Sequence, residues 1–332
     1  MLSMKNINKI AIIRLSALGD IINSAVVLQF IKQHNQNIHV EWICEEVFSP
    51  LLQNHPLVNK THTVNLKQLK KQKSFSLLKQ TISYLKSLGT FDKVIDMQGL
   101  LKSAIVARLV GKNTHGFDKH SSREGVSSFF YKTTSNIPYD ENIVKRNCFV
   151  VADALGFKIT DKMLLNKEKI FPNKLYKFNS EKKQIAIVIG ASWESKKYPK
   201  QKIINVCNKL NANIHIIWGD ENEKKDAEFI VSNTTNTTLA PKLSLTELVD
   251  FISSVDLVIG NDTGPTHIAW AQNISSITLF GPTTSRMIYE TPKNIAIKSS
   301  SHVDIFNINK NDFSIKDIDE DEIINKAQGL LK

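Results

Sequence analysis

The sequence predicts an α/β protein built from two doubly wound parallel sheets in tandem. Three observations carry that reading. The chain has 332 residues, about twice what one open α/β domain fills before chains split. Short runs rich in Ile and Val alternate with helix-length amphipathic stretches, the pattern of βα units. That alternation fades into a polar, lysine-rich stretch and then starts again.

In the first half, strands are expected at 9–15, 39–44, 60–64 and 93–96, and helices at 21–33, 66–88, 100–110 and 141–155. The polar stretch runs from Thr160 to Lys183 and contains Pro172 and Asn173. Domains are therefore set at 1–165 and 184–332, with 166–183 as a linker. The second half gives strands at 184–189, 214–218, 257–260 and 276–280, and helices at 200–210, 223–231, 244–253 and 265–271. Two Rossmann-like domains of this kind should face each other across a cleft, because ligands of open α/β sheets bind beyond the carboxyl ends of the strands. No run of 18 apolar residues occurs, so no membrane-spanning helix is expected. The start of the chain, Met1 to Leu15, passes from a short polar lead straight into a strand, so a cytoplasmic location is expected. Cys44, Cys148 and Cys207 lie far apart in apolar surroundings and read as buried thiols.

Charge is unevenly placed. Residues 1–165 carry 22 Lys and Arg against 12 Asp and Glu, a balance of +10, while the rest of the chain is at +1. The partner of the first half should therefore be anionic. Nucleic acid, an anionic membrane face and a phosphorylated substrate all fit. A nucleic-acid module calls for aromatics interleaved with the basic residues, and the lysine-rich stretch 67–79 offers only Phe75, so no nucleic-acid partner is expected.

Chemistry is sought where strands end. The first strand runs into Arg14-Leu-Ser16-Ala-Leu-Gly19-Asp20. Only one glycine is present, so the segment is not a GxGxxG dinucleotide fingerprint. Asp20 has two readings, a helix cap or a general base at the carboxyl end of a strand. The second half carries Asn261-Asp262-Thr263-Gly264-Pro265-Thr266-His267, in which a buried strand turns into a helix opening on Pro265. Free N–H groups at such a terminus receive phosphate. Two more strand-end segments are Gly190-Ala191-Ser192-Trp193-Glu194-Ser195-Lys196-Lys197-Tyr198-Pro199 and Trp218-Gly219-Asp220-Glu221-Asn222-Glu223. A lysine beside a pyrophosphate offsets leaving-group charge without a metal, and an acidic residue at a strand end accepts from ribose hydroxyls. Asp317-Ile-Asp319 matches a metal-binding DxD in form, but its acids open a helix, where the dipole favours them.

Taken together, LSALGD, DMQGLLKS at 96–103, SKKYP, WGDENE, NDTGPTH and LFGPT at 279–283 resemble the heptosyltransferase family of lipopolysaccharide core synthesis. The resemblance runs through nearly the whole chain. The stretch Ser122-Arg123-Glu124 to SSFFYK, the stretch ending at Arg146, and Lys196 ahead of Tyr198-Pro199 look like the type I branch rather than type II. One departure stands out: the family's pair of phosphate-contacting hydroxyls is Ala191-Ser192 here, so one hydroxyl is missing.

The resemblance implies the two-domain GT-B architecture and an inverting transfer of heptose from ADP-heptose to the Kdo sugar of Kdo-lipid A. Asp20 and Lys196 would be catalytic. Ser16, Gly19, Ser192, Lys196, Glu223, Asp262, Thr263, Gly264 and His267 would bind the donor. Lys102, Arg123 and Arg146 would meet the acceptor. No cofactor and no metal are expected. The row Lys67, Lys70, Lys71 and Lys73 would add peripheral contact with the anionic inner face of the membrane, and a monomer is expected.

Overall fold

The computed structural model describes residues 7–178 and 181–332. The polar lead at 1–6, and Asn179 and Ser180 of the expected linker, lie outside the described residues. The chain divides into two units, Met1–Ile170 and Phe171–Lys332.

Unit 1 holds six parallel strands: β1 (Lys9–Ile13), β2 (His39–Glu45), β3 (Lys60–Val64), β4 (Lys93–Asp96), β5 (Thr114–Phe117) and β6 (Thr133–Ser135). Their order across the sheet is β3-β2-β1-β4-β5-β6. The chain therefore reverses direction of travel between β1 and β4, and a crevice opens there at the carboxyl ends. Ile13 of β1 lies between Ile43 of β2 and Asp96 of β4. The inner strand β1 reads as a near-continuous apolar run, as strands covered on both faces do. Ala11, Ile13, Ile43, Val94, Val106 and Ala107 form one packed layer.

Unit 2 repeats the plan with β7 (Gln184–Val188), β8 (Asn213–Ile217), β9 (Thr237–Leu239), β10 (Leu257–Asn261), β11 (Ser275–Phe280) and β12 (Asn294–Lys298). The order is β12-β11-β10-β7-β8-β9, so the switch point falls between β7 and β10, paired from Leu257↔Ile185 to Gly260↔Val188. The closing helix Glu320–Leu330 packs on helix Lys200–Lys209 and contributes Ile323, Ile324 and Ala327 to the core.

The structure departs from the sequence expectations in three places. The helix expected at 66–88 is two helices, Leu66–Gln72 and Phe75–Lys86. Lys73 turns left-handed at φ 48°, and Ser74 caps the second helix by accepting from the Leu77 N–H. A serine that offers its own hydroxyl to the backbone favours a new helix start over continuation. β5, β6, β9 and β12 had no expected counterpart. The described residues of the segment expected as a linker are hydrogen-bonded into the units they adjoin. Ile170 O is held by His55 Nε2 at 2.7 Å in unit 1, whereas Phe171 N–H donates to Gln272 Oε1 and Lys174 N–H to Asp250 in unit 2. Tyr176 and Phe178 then pack on Phe251.

Candidate active site

In unit 1 the segment after β1 leads into helix Leu18–Ala25. Asp20 at its third position reaches back to accept the Ala17 N–H at 3.1 Å through Oδ2, the return half of a capping box. Its other oxygen, Oδ1, pairs with Arg14 Nη2 at 2.7 Å. Arg14 is buried, and its Nη1 donates to the Met97 carbonyl. Asp20 is therefore not the N-cap residue itself, which is Ala17, but the third helical residue reaching back to it. A carboxylate has about four lone-pair positions, two are taken here, and the group is partly open to solvent.

Three more side chains gather at this strand end. Lys102, in the first turn of helix Leu101–Val110, donates to Ser16 Oγ at 3.3 Å. Gln98 Oε1 accepts the Leu15 N–H at 2.9 Å. Glu45 closes β2, and its N–H donates to the Leu15 carbonyl. Burial raises the Glu45 pKa, against the pull of Lys102 and Lys67. Neither Arg14 nor Glu45 was singled out in the sequence. Arg14 was legible only as the residue before a quoted motif, and Glu45 carried no local signal.

Asp96, at the end of β4, is fully buried. It accepts from Tyr131 Oη at 2.7 Å and from the Gln98 N–H at 2.8 Å. Burial raises its pKa, and these neutral donors only moderate the shift. It clasps the DMQGLLKS turn and is not an open group.

The two acceptor-side arginines part company. Arg123 is exposed. Arg146 is buried: it donates to the carbonyls of Ile137 (3.1 Å), Pro138 and Ser121, and its guanidinium lies over Phe117 at 4.6 Å and near Tyr139 at 5.1 Å. Arg146 was expected to meet the acceptor; its guanidinium is engaged by these carbonyls and rings. A fork spent on three carbonyls fixes the 121–123 turn that carries Arg123.

Unit 2 builds its cluster on Asp262, just beyond β10. Lys196 Nζ donates to Oδ2 at 2.7 Å, and Thr283 Oγ1 donates to the same oxygen at 2.9 Å. His267 Nε2 lies 3.1 Å from Oδ1. An ionised carboxylate only accepts, so the His267 proton sits on Nε2. Burial alone would raise the Asp262 pKa. The charge of Lys196 and the contact with His267 outweigh it and hold the carboxyl well below the ordinary range. Asp262 was expected to bind the donor; in the structure its oxygens are engaged by Lys196, Thr283 and His267. Thr283 belongs to LFGPT and was not picked out as a site residue.

The remaining donor-side residues lie around this cluster. Asn261 ties the strand ends together, donating to Ile189 O at 2.9 Å and accepting the Tyr198 N–H at 3.0 Å. Thr263 precedes helix Gly264–Ala271 and makes no side-chain cap, so that helix start has no side-chain acceptor from its own N-cap. Ser192 is exposed. Glu223 accepts the Gly219 N–H at 2.6 Å, and its carboxylate presses so close to Gly190 that a Cβ there would collide with it. Asp319 caps helix Glu320–Leu330 by accepting the Asp321 N–H, which is the helix reading of the DxD-like acids.

Comparison with known proteins now adds the family. Residues 82–311 match the model of glycosyltransferase family 9 (heptosyltransferase). The chain is 39% identical to lipopolysaccharide heptosyltransferase 1 of Campylobacter coli, over 97% of this chain and 99% of that one. This chain belongs to glycosyltransferase family 9, the heptosyltransferases. Identity to lipopolysaccharide heptosyltransferase 1 of Escherichia coli K12 is 25%, covering 91% of this chain and 96% of the relative. In fold, the chain is similar to E. coli heptosyltransferase WaaC solved with ADP-2-deoxy-2-fluoro heptose. The TM-score is 0.79, with 97% and 99% of the two chains covered and 20% identity.

Proposed function

We propose that this family 9 enzyme transfers heptose from ADP-L-glycero-D-manno-heptose to the Kdo residue of Kdo-lipid A, in building the inner core of lipopolysaccharide or lipooligosaccharide. The single observation that supports the type I acceptor is the 39% identity to a heptosyltransferase 1 over almost the whole of both chains. In this reading unit 2 binds the nucleotide sugar and unit 1 binds the acceptor.

Asp20 takes the proton of the acceptor hydroxyl, with Arg14 and the Ala17 N–H fixing its orientation. The hydroxyl oxygen bonds to the anomeric carbon as the bond from that carbon to the β-phosphate breaks. The electron pair leaves on the phosphate, and the anomeric centre inverts. Ser16 and Gly19 line the donor's sugar end. Lys196, the Thr263 and Gly264 amides and His267 receive the diphosphate, Ser192 supplies the surviving hydroxyl, and Glu223 accepts from the ribose. Lys102 and Arg123 meet the carboxylates and phosphates of the acceptor, in keeping with the +10 balance of residues 1–165. Lys67, Lys70, Lys71 and Lys73, all exposed, rest on the anionic membrane face, so the enzyme works peripherally there; we take it as a monomer. No helix of the described residues is long and apolar enough to cross a membrane.

A coupled assay of ADP release tests the reading. Turnover is expected with ADP-heptose plus Kdo-lipid A. Turnover only with an acceptor that already carries a heptose would replace it with the type II reaction.

A further inference from the structure

Lys196 is poorly placed to neutralise a diphosphate alone. Its ammonium is already matched by the Asp262 carboxylate at 2.7 Å, both buried, so the pair brings no net charge to an incoming anion. Lys197 is no better. It is paired with Glu194 at 2.8 Å, and Glu223 and Asp226 add further acidic surroundings. A leaving nucleoside diphosphate gains negative charge as the glycosidic bond breaks, so cationic charge without a partner has the most to offer there.

Such a charge lies beside the 193–196 turn. Lys310 Nζ sits 5.2 Å from the centre of the Trp193 ring, and Lys196 Nζ sits 4.9 Å from the same centre. The loop that carries Lys310 is fastened to this turn, because Ser195 Oγ, fully buried, donates to the Lys310 carbonyl at 2.6 Å. Lys310 is exposed and has no carboxylate partner among the described residues. The indole adds a second observation: Trp193 Nε1 is a buried donor with no acceptor. Buried unsatisfied donors are uncommon, and an unseen anion is one of the standard reasons for them.

We propose that Lys310 and the Trp193 indole N–H are further diphosphate-binding groups, with Lys310 supplying the net positive charge that the Lys196–Asp262 pair lacks. The inference rests on the donor reading above. Lys310 holds the ring face by a cation–π contact before the ligand arrives and swings its ammonium onto a phosphate oxygen as the ligand binds. When the anomeric C–O bond breaks and its electron pair settles on the β-phosphate oxygen, Lys310 offsets that charge. The Trp193 N–H donates to a phosphate oxygen and gains the acceptor it lacks.

The test is calorimetric binding of ADP and of adenosine to the full chain, using wild type, Lys310→Ala, Lys310→Arg and Trp193→Phe. Lys310→Ala should weaken ADP about tenfold, the scale of one hydrogen bond to a charged group. Adenosine binding should not change, and the salt dependence of ADP binding should become shallower. Lys310→Arg should recover most of the ADP affinity. Trp193→Phe, which keeps a ring face and loses the N–H, should weaken ADP severalfold and spare adenosine. Wild-type ADP affinity in Lys310→Ala would overturn the proposal, as would equal losses for ADP and adenosine, which mark a structural effect. A wild-type chain that binds adenosine and ADP equally removes the donor reading itself, and this inference with it.

Discussion

Asp96 and Asp262 occupy matching places, each at the carboxyl end of the fourth strand of a six-stranded sheet, beside the switch point. Both are buried carboxylates, yet their pKa values move in opposite directions. Asp96 meets only a phenol, a hydroxyl and backbone N–H groups, so burial decides and its pKa rises. Asp262 meets an ammonium and an imidazole, and these overcome a burial penalty of the same kind. The same residue at the same topological position is a neutral-donor clasp in one unit and half of an ion pair in the other. What differs is the partner delivered by a loop 66 residues earlier in the chain, which places Lys196 against Asp262.

Asp20, in the first turn of the helix after β1, has solvent access that the strand-end carboxylates Glu45, Asp96 and Asp262 lack. If that openness is what suits it to chemistry, Asp20→Asn should lower turnover roughly 10²–10⁴-fold, the range for a lost general base. Donor affinity should change little. Turnover close to wild type on a stable fold would reduce Asp20 to a cap.

Asp262→Asn should give the largest stability effect. Removing one partner of a buried pair leaves the other charge uncompensated, at a cost of about 3–5 kcal/mol. Asp262→Asn combined with Lys196→Met should recover much of the loss in a denaturant titration. A single variant as stable as wild type would show that the pair is not a buried charge couple.

The opposite shifts also predict opposite pH behaviour. The folded pKa of Asp262 is depressed, so its contribution is present above the unfolded carboxylate value and is lost as pH falls through the folded one. Asp96 has a raised folded pKa, so its contribution is present in acid and is lost as pH rises through the folded value. Melting curves across pH should therefore show the deficit of Asp262→Asn shrinking in acid. Asp96→Asn should improve relative to wild type from acid towards neutrality, because the buried wild-type carboxyl must ionise as pH rises and the amide does not. Parallel pH profiles for the two variants would break the comparison.

The surface lysines give a smaller effect per residue. Neutralising Lys67, Lys70, Lys71 and Lys73 together should weaken sedimentation with anionic liposomes by about 1 kcal/mol per lysine at low salt, and leave ADP binding unchanged. Smallest of all is the expected effect of a chelator. EDTA should leave the transfer rate nearly unchanged if Lys196 and the helix N-terminal amides carry the diphosphate. Loss of activity that magnesium or manganese restores would contradict that assignment.

Much of this was legible in the sequence because it depends on short-range pattern. The apolar runs of β1, β2, β4, β7, β8, β10 and β11 belong to inner strands of the two sheets, and such runs stand out against any neighbour. The strand-end motifs were equally visible, since a strand that turns into a helix needs particular residues locally. The edge and near-edge strands β5, β6, β9 and β12 were not. Three of them, Thr114–Phe117, Thr133–Ser135 and Thr237–Leu239, are only three or four residues long, too short for a period to emerge.

The sequence by itself determined the doubly wound alternation, the loops that carry the chemistry and, through their motifs, the family. Only the tertiary structure decided what each charged side chain does. It spent Arg146 on three carbonyls, paired Arg14 with Asp20, drew Thr283 and Lys196 onto Asp262 and set Asp96 among neutral donors. The physical reason is range. Periodicity and turn chemistry are fixed by residues a few places apart. The pKa, orientation and freedom of a buried charge depend on partners that only the packed sheet brings within 3 Å or so.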